Sequence, residues 1–458
     1  MNQTMAFAAL EAALAGGGDF AEIYFEDTVR NSVRVRDGKT ETALSGRDYG
    51  AGVRVMRGTS CAYAYSCEVT EKALREAAQA AAQALRAAGT DKPQTFVVRP
   101  ARPMQAAMYP AGSVGLEKYA ALAKSAYEAA RAHDTRIVQA MGAVSDVYKR
   151  VIVANSLGVY VEDDRARSRL AVQAVAAKGN EMQTGFEGPG AGAGFEFLEG
   201  LDIEAYAKSA ARTALTMIDA PFCLAGQFPV AVNGGFGGVI FHEACGHSLE
   251  ATSVARGHSE FCGKLGQKIA SDKVTAIDDG SMPGEWGSLG YDDEGTPTGR
   301  TVLIENGVLK NYMIDILGGR RMNMAPTGNG RRESYSYAPT SRMTNTFIAA
   351  GTDEDMITGI DTGLYAHKMG GGSVNPLTGE FNFAVEEGYW IKDGKIDRPV
   401  RGATLIGKGS EVLQRIDSVG REVVLGQGLC GSISGSVPTN VGQPLIRVSR
   451  ITVGGREA

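Results

Sequence analysis

Residues 239–250 read VIFHEACGHSLE, and they set a condition that few backbones meet. Two of the five histidines of the chain, His242 and His247, stand five positions apart in this run, with Glu243 beside the first. Imidazoles are neutral nitrogen donors suited to zinc. A carboxylate next to such a ligand can take a proton from water at the metal without binding the metal itself. That is the logic of H-E-x-x-H hydrolases, here lengthened by one residue to H-E-x-x-x-H. On a regular helix a step of four leaves side chains about 40° apart, and a step of five about 140°. The two imidazoles can therefore share an ion only if the helix is broken. A single-turn π-bulge or a helix end is expected between Cys245 and Ser248, and Gly246 tolerates either. The preceding NGGFGG of residues 233–238 lets backbone pass close to another group.

A catalytic zinc usually keeps three protein ligands and one open position. Beyond His242 and His247, the donors available for a third place are Glu250, His258, Cys262 and Cys430. His258 does not have the spacing of a metzincin third histidine. Cys430 lies in GQGLCG, residues 426–431, where flanking glycines would let one small side chain approach a metal.

The segment 237–250 resembles the signature of the TldD/PmbA family of zinc metalloproteases. The likeness continues through YDDEGTP (291–297), TGNGRR (327–332), RMTNT (342–346) and VGQP (441–444), and it spans essentially the whole chain. Within that resemblance Cys430 matches the third zinc ligand, completing His242 and His247, with Glu243 as the catalytic base. The resemblance also implies extended, unfolded peptides as substrates. It implies a dimer, either of identical chains or with a related subunit lacking the metal motif. One departure is visible. The family cysteine is typically followed by a run with Lys and Gln, whereas here residues 431–436 read GSISGS. A rival reading is a peptide-binding subunit whose metal is structural or absent.

Other polar runs have less defined roles. Asp292 to Gly295 could orient ligands or form a solvated acidic turn. Arg331 and Arg332 could pair with it or bind a substrate carboxylate. His367 reads as a structural residue that could also donate to an oxyanion, and Gly371 could let a substrate backbone lie against a sheet.

Around this site the pattern predicts an α+β chain of 458 residues with a boundary near residue 222. Residues 1–222 read as an antiparallel sheet with helices on one face. Residues 223–458 read as a β-rich, barrel-like domain carrying the metal helix. In the first part, strands fill 19–68, with a hairpin at Asp37-Gly38. A helix capped by Thr70 runs to Gly89, a second follows Leu116, and strands return over 136–178 with a turn at 155–158. Gly179 to Gly200 reads as a long loop. A third helix spans Asp202 to Ile218. In the second part, Asn306-Gly307 marks a hairpin, and Phe381–Val385 and Gly388–Lys392 read as a strand pair. The 60 glycines, concentrated in this half, fit repeated tight turns.

Composition narrows the function classes. With 43% hydrophobic and 22% charged residues, the chain is that of a globular protein, and no apolar run is long enough to span a bilayer. A net charge of −5 with both signs dispersed gives no surface for nucleic acid or an anionic membrane. The Ala- and Leu-rich N-terminus lacks a basic region, and Glu11 interrupts it, so a folded helix and a cytoplasmic location are expected. Six cysteines in this length are not a disulfide framework, and Cys61 and Cys67 are expected as buried thiols.

Overall fold

The computed structural model describes residues 1–85, 92–104, 106–375 and 378–456; Gly89, read above as a helix stop, lies outside them. The first half opens with α1 (Gln3–Ala15), followed by β1 (Phe20–Arg36), β2 (Lys39–Arg57), β3 (Ser60–Ser66) and α2 (Glu71–Ala84). Then come β4 (Val97–Val98), α3 (Leu116–Ala132), β5 (Ile137–Asn155), β6 (Val159–Lys178), β7 (Glu181–Glu187), β8 (Gly190–Ala191), α4 (Phe195–Glu199) and α5 (Ile203–Asp219). The sheet runs β3-β2-β1-β5-β6-β4, with β7 and β8 also on β6. All its pairings are antiparallel except β4 on β6. Thr70 Oγ1 accepts the Ala73 N–H and caps α2, as its position predicted.

Strand alternation divides the labour of this sheet. Odd residues of β1 meet helices: Ala21, Ile23 and Phe25 pack with α1 and α2, and Val33 and Val35 with α3 and α5. Even residues face the other way. Glu22, Tyr24 and Glu26 are buried there, and Tyr24 packs against Val151, Val153 and Val161 of the same sheet and Tyr291 of the second half. The helices thus share one face, and the C-terminal half covers the other.

The second half supplies β9 (Gly226–Val232), α6 (Val239–Phe241), β10 (Ala276–Asp279), β11 (Arg300–Glu305) and β12 (Val308–Leu309). It continues through β13 (Gly330–Arg331), β14 (Thr340–Ser341), β15 (Asn345–Ile348), β16 (Thr362–Val374), β17 (Glu380–Lys392), β18 (Lys395–Val400), β19 (Thr404–Lys408) and β20 (Ile416–Val419). Last are β21 (Val424–Ser432), β22 (Gly435–Gln443) and β23 (Ile446–Gly454). Five of these close a barrel in the order β16-β9-β23-β19-β17, with β17 returning to β16. A separate sheet runs β12-β11-β10-β15-β22-β21. No helix among the described residues is long and apolar enough to cross a membrane.

Three local expectations are corrected. Residues 179–200 are not a long loop, because β7, β8 and α4 occupy them. Gly185 lies against the α5 backbone, where an added Cβ would stand 2.0 Å from the Ala210 carbonyl oxygen. Phe381–Val385 and Gly388–Lys392 are one continuous strand, β17, whose hairpin comes later at Asp393-Gly394. Cys61 and Cys67 are exposed, since β3 lies at the edge of its sheet.

Candidate metal centre

The condition set by the histidine spacing is met by a backbone irregularity. After α6, residues His242–Gly246 form a π-helical turn, and His247–Leu249 continue as a 3-10 turn. The wider π turn takes up the extra residue, so both imidazoles come to one side of the helix. Their rings lie 5.1 Å apart and nearly perpendicular, at 83°. The apolar side, with Phe241, Ala244 and Cys245, packs into the core shared with barrel residues Val230, Val232, Leu364 and Phe383. The helix crosses β22 at close range: a Cβ on Gly238 would stand 2.3 Å from the Gly442 nitrogen. That contact accounts for one glycine of the 233–238 run.

From the far end of the chain, β21 carries Cys430 to the two rings. Its Sγ lies 3.2 Å from His242 Nε2 and 3.3 Å from His247 Nε2. The three donor atoms all fall within 4.8 Å of one another, as a set that could hold a metal ion. For a tetrahedral zinc with ordinary bond lengths, the edge between sulfur and nitrogen would be about 3.5 Å. The observed separations are close to that value, so these residues fit the ion.

The electrostatics agree with the geometry. Burial alone would raise the Cys430 thiol, but the two imidazoles outweigh it and bring the pKa down to about 3, which leaves a thiolate. Burial alone would lower His247. The Glu250 carboxylate and the Cys430 sulfur outweigh that effect and push it well up.

Glu250 Oε2 lies 3.2 Å from His247 Nδ1 and fixes that ring, while Arg342 Nε stands 3.9 Å from the other Glu250 oxygen. Arg342 also donates to the Cys430 carbonyl, so one guanidinium links the orienting carboxylate to the strand bearing the thiol. Glu250, a candidate ligand by sequence, instead orients His247, and no motif in the sequence assigns Arg342 a role. The available signal was the three-residue step from His247 to Glu250, which brings the two side chains together. Glu243 Oε2 is 3.7 Å from His247 Nε2, with its side chain 30% exposed and so within reach of solvent.

The remaining residues singled out in the sequence lie elsewhere. His258 is exposed, and the Cys262 thiol meets the Val254 carbonyl. The acidic run Asp292 to Glu294 is buried, neither solvated nor at the donors. Arg332 is buried too. It pairs with Glu22, and its guanidinium also meets the Tyr63 hydroxyl and the Asp293 carbonyl, so it offers no free face to a substrate carboxylate. His367 alternates with the inward-facing Ala366 and points out of the barrel, where its Nδ1 meets the Tyr365 hydroxyl at 3.0 Å. That contact suits the structural reading of His367, and nothing in its placement supports the alternative oxyanion role. Gly371 is exposed, in a stretch of β16 where the register with β17 shifts.

Two imidazoles on a broken helix and a thiolate from β21, beside a reachable carboxylate, are a donor set that could hold a metal ion of the kind metallohydrolases use. Models of the PmbA/TldA metallopeptidases match the chain as domain 1 over residues 21–85, the central domain over 109–218 and the C-terminal domain over 225–455. A metalloprotease TldD homolog from Haemophilus influenzae is 38% identical over 450 residues, covering 95% of this chain and 93% of its own. Another from Buchnera aphidicola subsp. Acyrthosiphon pisum is 34% identical over 466 residues, covering 99% and 96%. Among solved structures, TldE from Thermococcus kodakarensis shares the fold, with a TM-score of 0.76 at 21% identity, covering 98% of this chain and 100% of that one. The chain belongs to the PmbA/TldD metallopeptidase family.

Proposed function

We propose that this chain is a zinc-dependent peptidase acting on extended, unfolded peptides. The observation that carries the reading is the meeting of His242 Nε2, His247 Nε2 and Cys430 Sγ beside Glu243. These three atoms would hold the ion, and one thiolate with two neutral imidazoles leaves a dipositive metal with a net charge near +1. Zinc bound there would supply Lewis acidity, polarising a peptide carbonyl and acidifying water. Glu243 Oε2 takes the proton of the attacking water and passes it to the leaving amine nitrogen. Glu250 holds the His247 ring through Nδ1 so that Nε2 stays aimed at the thiolate.

β21, the strand of Cys430, is terminal in its sheet among the described residues, although its carbonyls at Gln427, Gly428 and Cys430 already accept from Arg169, Trp286 and Arg342. A peptide held through its own backbone would be bound with little dependence on sequence. The assembly we propose is a dimer, with a second copy or with a related chain lacking the metal motif. Native mass of the purified protein distinguishes the two.

The test is Glu243→Gln. We expect metal content unchanged, at one ion per chain, and hydrolysis of an unstructured peptide reduced by roughly 10²–10⁴-fold. Undiminished hydrolysis with metal retained would remove Glu243 from the proton-transfer role.

A further inference from the structure

β6 sends a row of arginines toward the second half, and one of them lacks a counter-charge. Arg165 pairs with Asp163 and Asp293. Arg167 donates to the Trp286 and Ser288 carbonyls and lies in the field of the same two acids. Arg169 forms no ion pair among the described residues. Its Nε donates to the Gly188 carbonyl at 3.2 Å, and a terminal nitrogen reaches the Gln427 carbonyl at 3.4 Å. Burial lowers its pKa, and no acidic neighbour raises it.

Bridging two carbonyls does not require a cation. A neutral amide would do it at a smaller desolvation cost, because a partly buried charge is unfavourable without an opposite charge. A guanidinium carries five N–H donors, and these two contacts leave most of them unused. The setting is also built. The guanidinium carbon lies 5.7 Å from the centroid of the Trp286 ring, and Trp286 Nε1 donates to the Gly428 carbonyl at 2.9 Å. The neighbouring chain leaves no room for side chains: a Cβ on Gly188 would stand 2.9 Å from an Arg169 nitrogen, and one on Gly190 3.1 Å from the Trp286 ring.

Position gives this cation a use. Gln427 lies on β21, three residues before Cys430, which is about 10 Å along a strand. We propose that Arg169 is a specificity-determining residue: its guanidinium binds a carboxylate of an extended peptide, about three residues from the bond that is cut. The inference rests on the peptidase reading. Arg–carboxylate pairs are short, charge-assisted and often bidentate, which suits both a chain-terminal carboxylate and an Asp or Glu side chain.

The experiment uses full-length, metal-loaded Glu243→Gln protein and one flexible hexapeptide in three forms: free acid, C-terminal amide, and amide with an internal Glu. Binding is measured by calorimetry at low salt. At least one carboxylate form is expected to bind roughly tenfold tighter than the neutral amide. Which form it is identifies the terminal or the side-chain source. The advantage should vanish in Glu243→Gln/Arg169→Gln and persist in part in Glu243→Gln/Arg169→Lys, which keeps the charge but not the fork. With the parent enzyme, mass spectrometry should place the cut about three residues from that carboxylate. Arg169→Gln should raise KM for that peptide more than it lowers kcat. Equal binding of all three forms, or a preference that survives loss of Arg169, overturns the proposal. An Arg169-dependent preference without cleavage by the parent enzyme would leave carboxylate binding intact and defeat the peptidase reading instead.

Discussion

At the scale of single residues, the account turns on a sulfur that is ionised before any metal arrives. Because the Cys430 pKa of about 3 lies below the ordinary 9.0, the folded state favours the thiolate. The metal-free fold gains stability from it while the imidazoles carry their protons, and that gain wanes as pH falls toward about 3. Ultraviolet thiolate absorbance of the metal-free protein at pH 5 should exceed that of Cys430→Ser by one thiolate. Equal absorbance would mean the imidazoles do not hold the charge. Glu250 acts through His247, so Glu250→Gln should weaken zinc about 10- to 100-fold in competition with a chelator. Unaltered affinity would reduce Glu250 to a packing residue. His242, Glu243 and His247 were legible from their order and spacing alone. Cys430 was one of four donors until the family likeness selected it, since its partners are almost two hundred positions away.

At the scale of elements, the five-residue spacing was itself the clue to the π turn, because no regular helix satisfies it. Gly246 in that turn has a further reason to be glycine. An added Cβ would stand 2.3 Å from Met343 Sδ, a fully buried side chain. Gly246→Ala should therefore cost about 1–3 kcal/mol in urea unfolding. Shortening Met343 to Ala should recover part of that cost, so that the double variant is more stable than the two single losses predict. Strict additivity would show that the turn and Met343 do not press on one another. Capped helices and the Asp37-Gly38 and Asn306-Gly307 hairpins were readable for local reasons. The misreadings were not local. Residues 179–200 look like a loop for want of side-chain bulk, yet that lack is what lets β7 lie against α5. The single long β17 looked like two strands because Glu386-Glu387 interrupts its apolar pattern, while Glu387 is in fact buried with Thr213 and Tyr389.

At the scale of the whole molecule, the two halves meet through buried charge, which no pattern in the sequence could announce. Arg54 lies 2.5 Å from Glu22 and 2.6 Å from Glu294, and Arg332 also meets Glu22, all almost without exposure. The DDEG run is therefore a joint between halves and not a feature of the metal centre. Arg54→Met would leave the buried Glu294 without a cation and Glu22 with Arg332 alone, and should cost about 3–5 kcal/mol of unfolding free energy. That loss should shrink as pH falls, because the stranded carboxyl then takes up a proton. A loss independent of pH would point to packing instead. Both sheets converge on the candidate metal centre, the barrel supporting the broken helix and β21 delivering the thiolate. The most direct test loads the metal-free protein with cobalt(II) and records its spectrum. One equivalent should give a thiolate-to-cobalt charge-transfer band that disappears in Cys430→Ser and weakens sharply in His242→Ala and His247→Ala. An unchanged band in Cys430→Ser would contradict the central claim that this sulfur and these two imidazoles hold one ion.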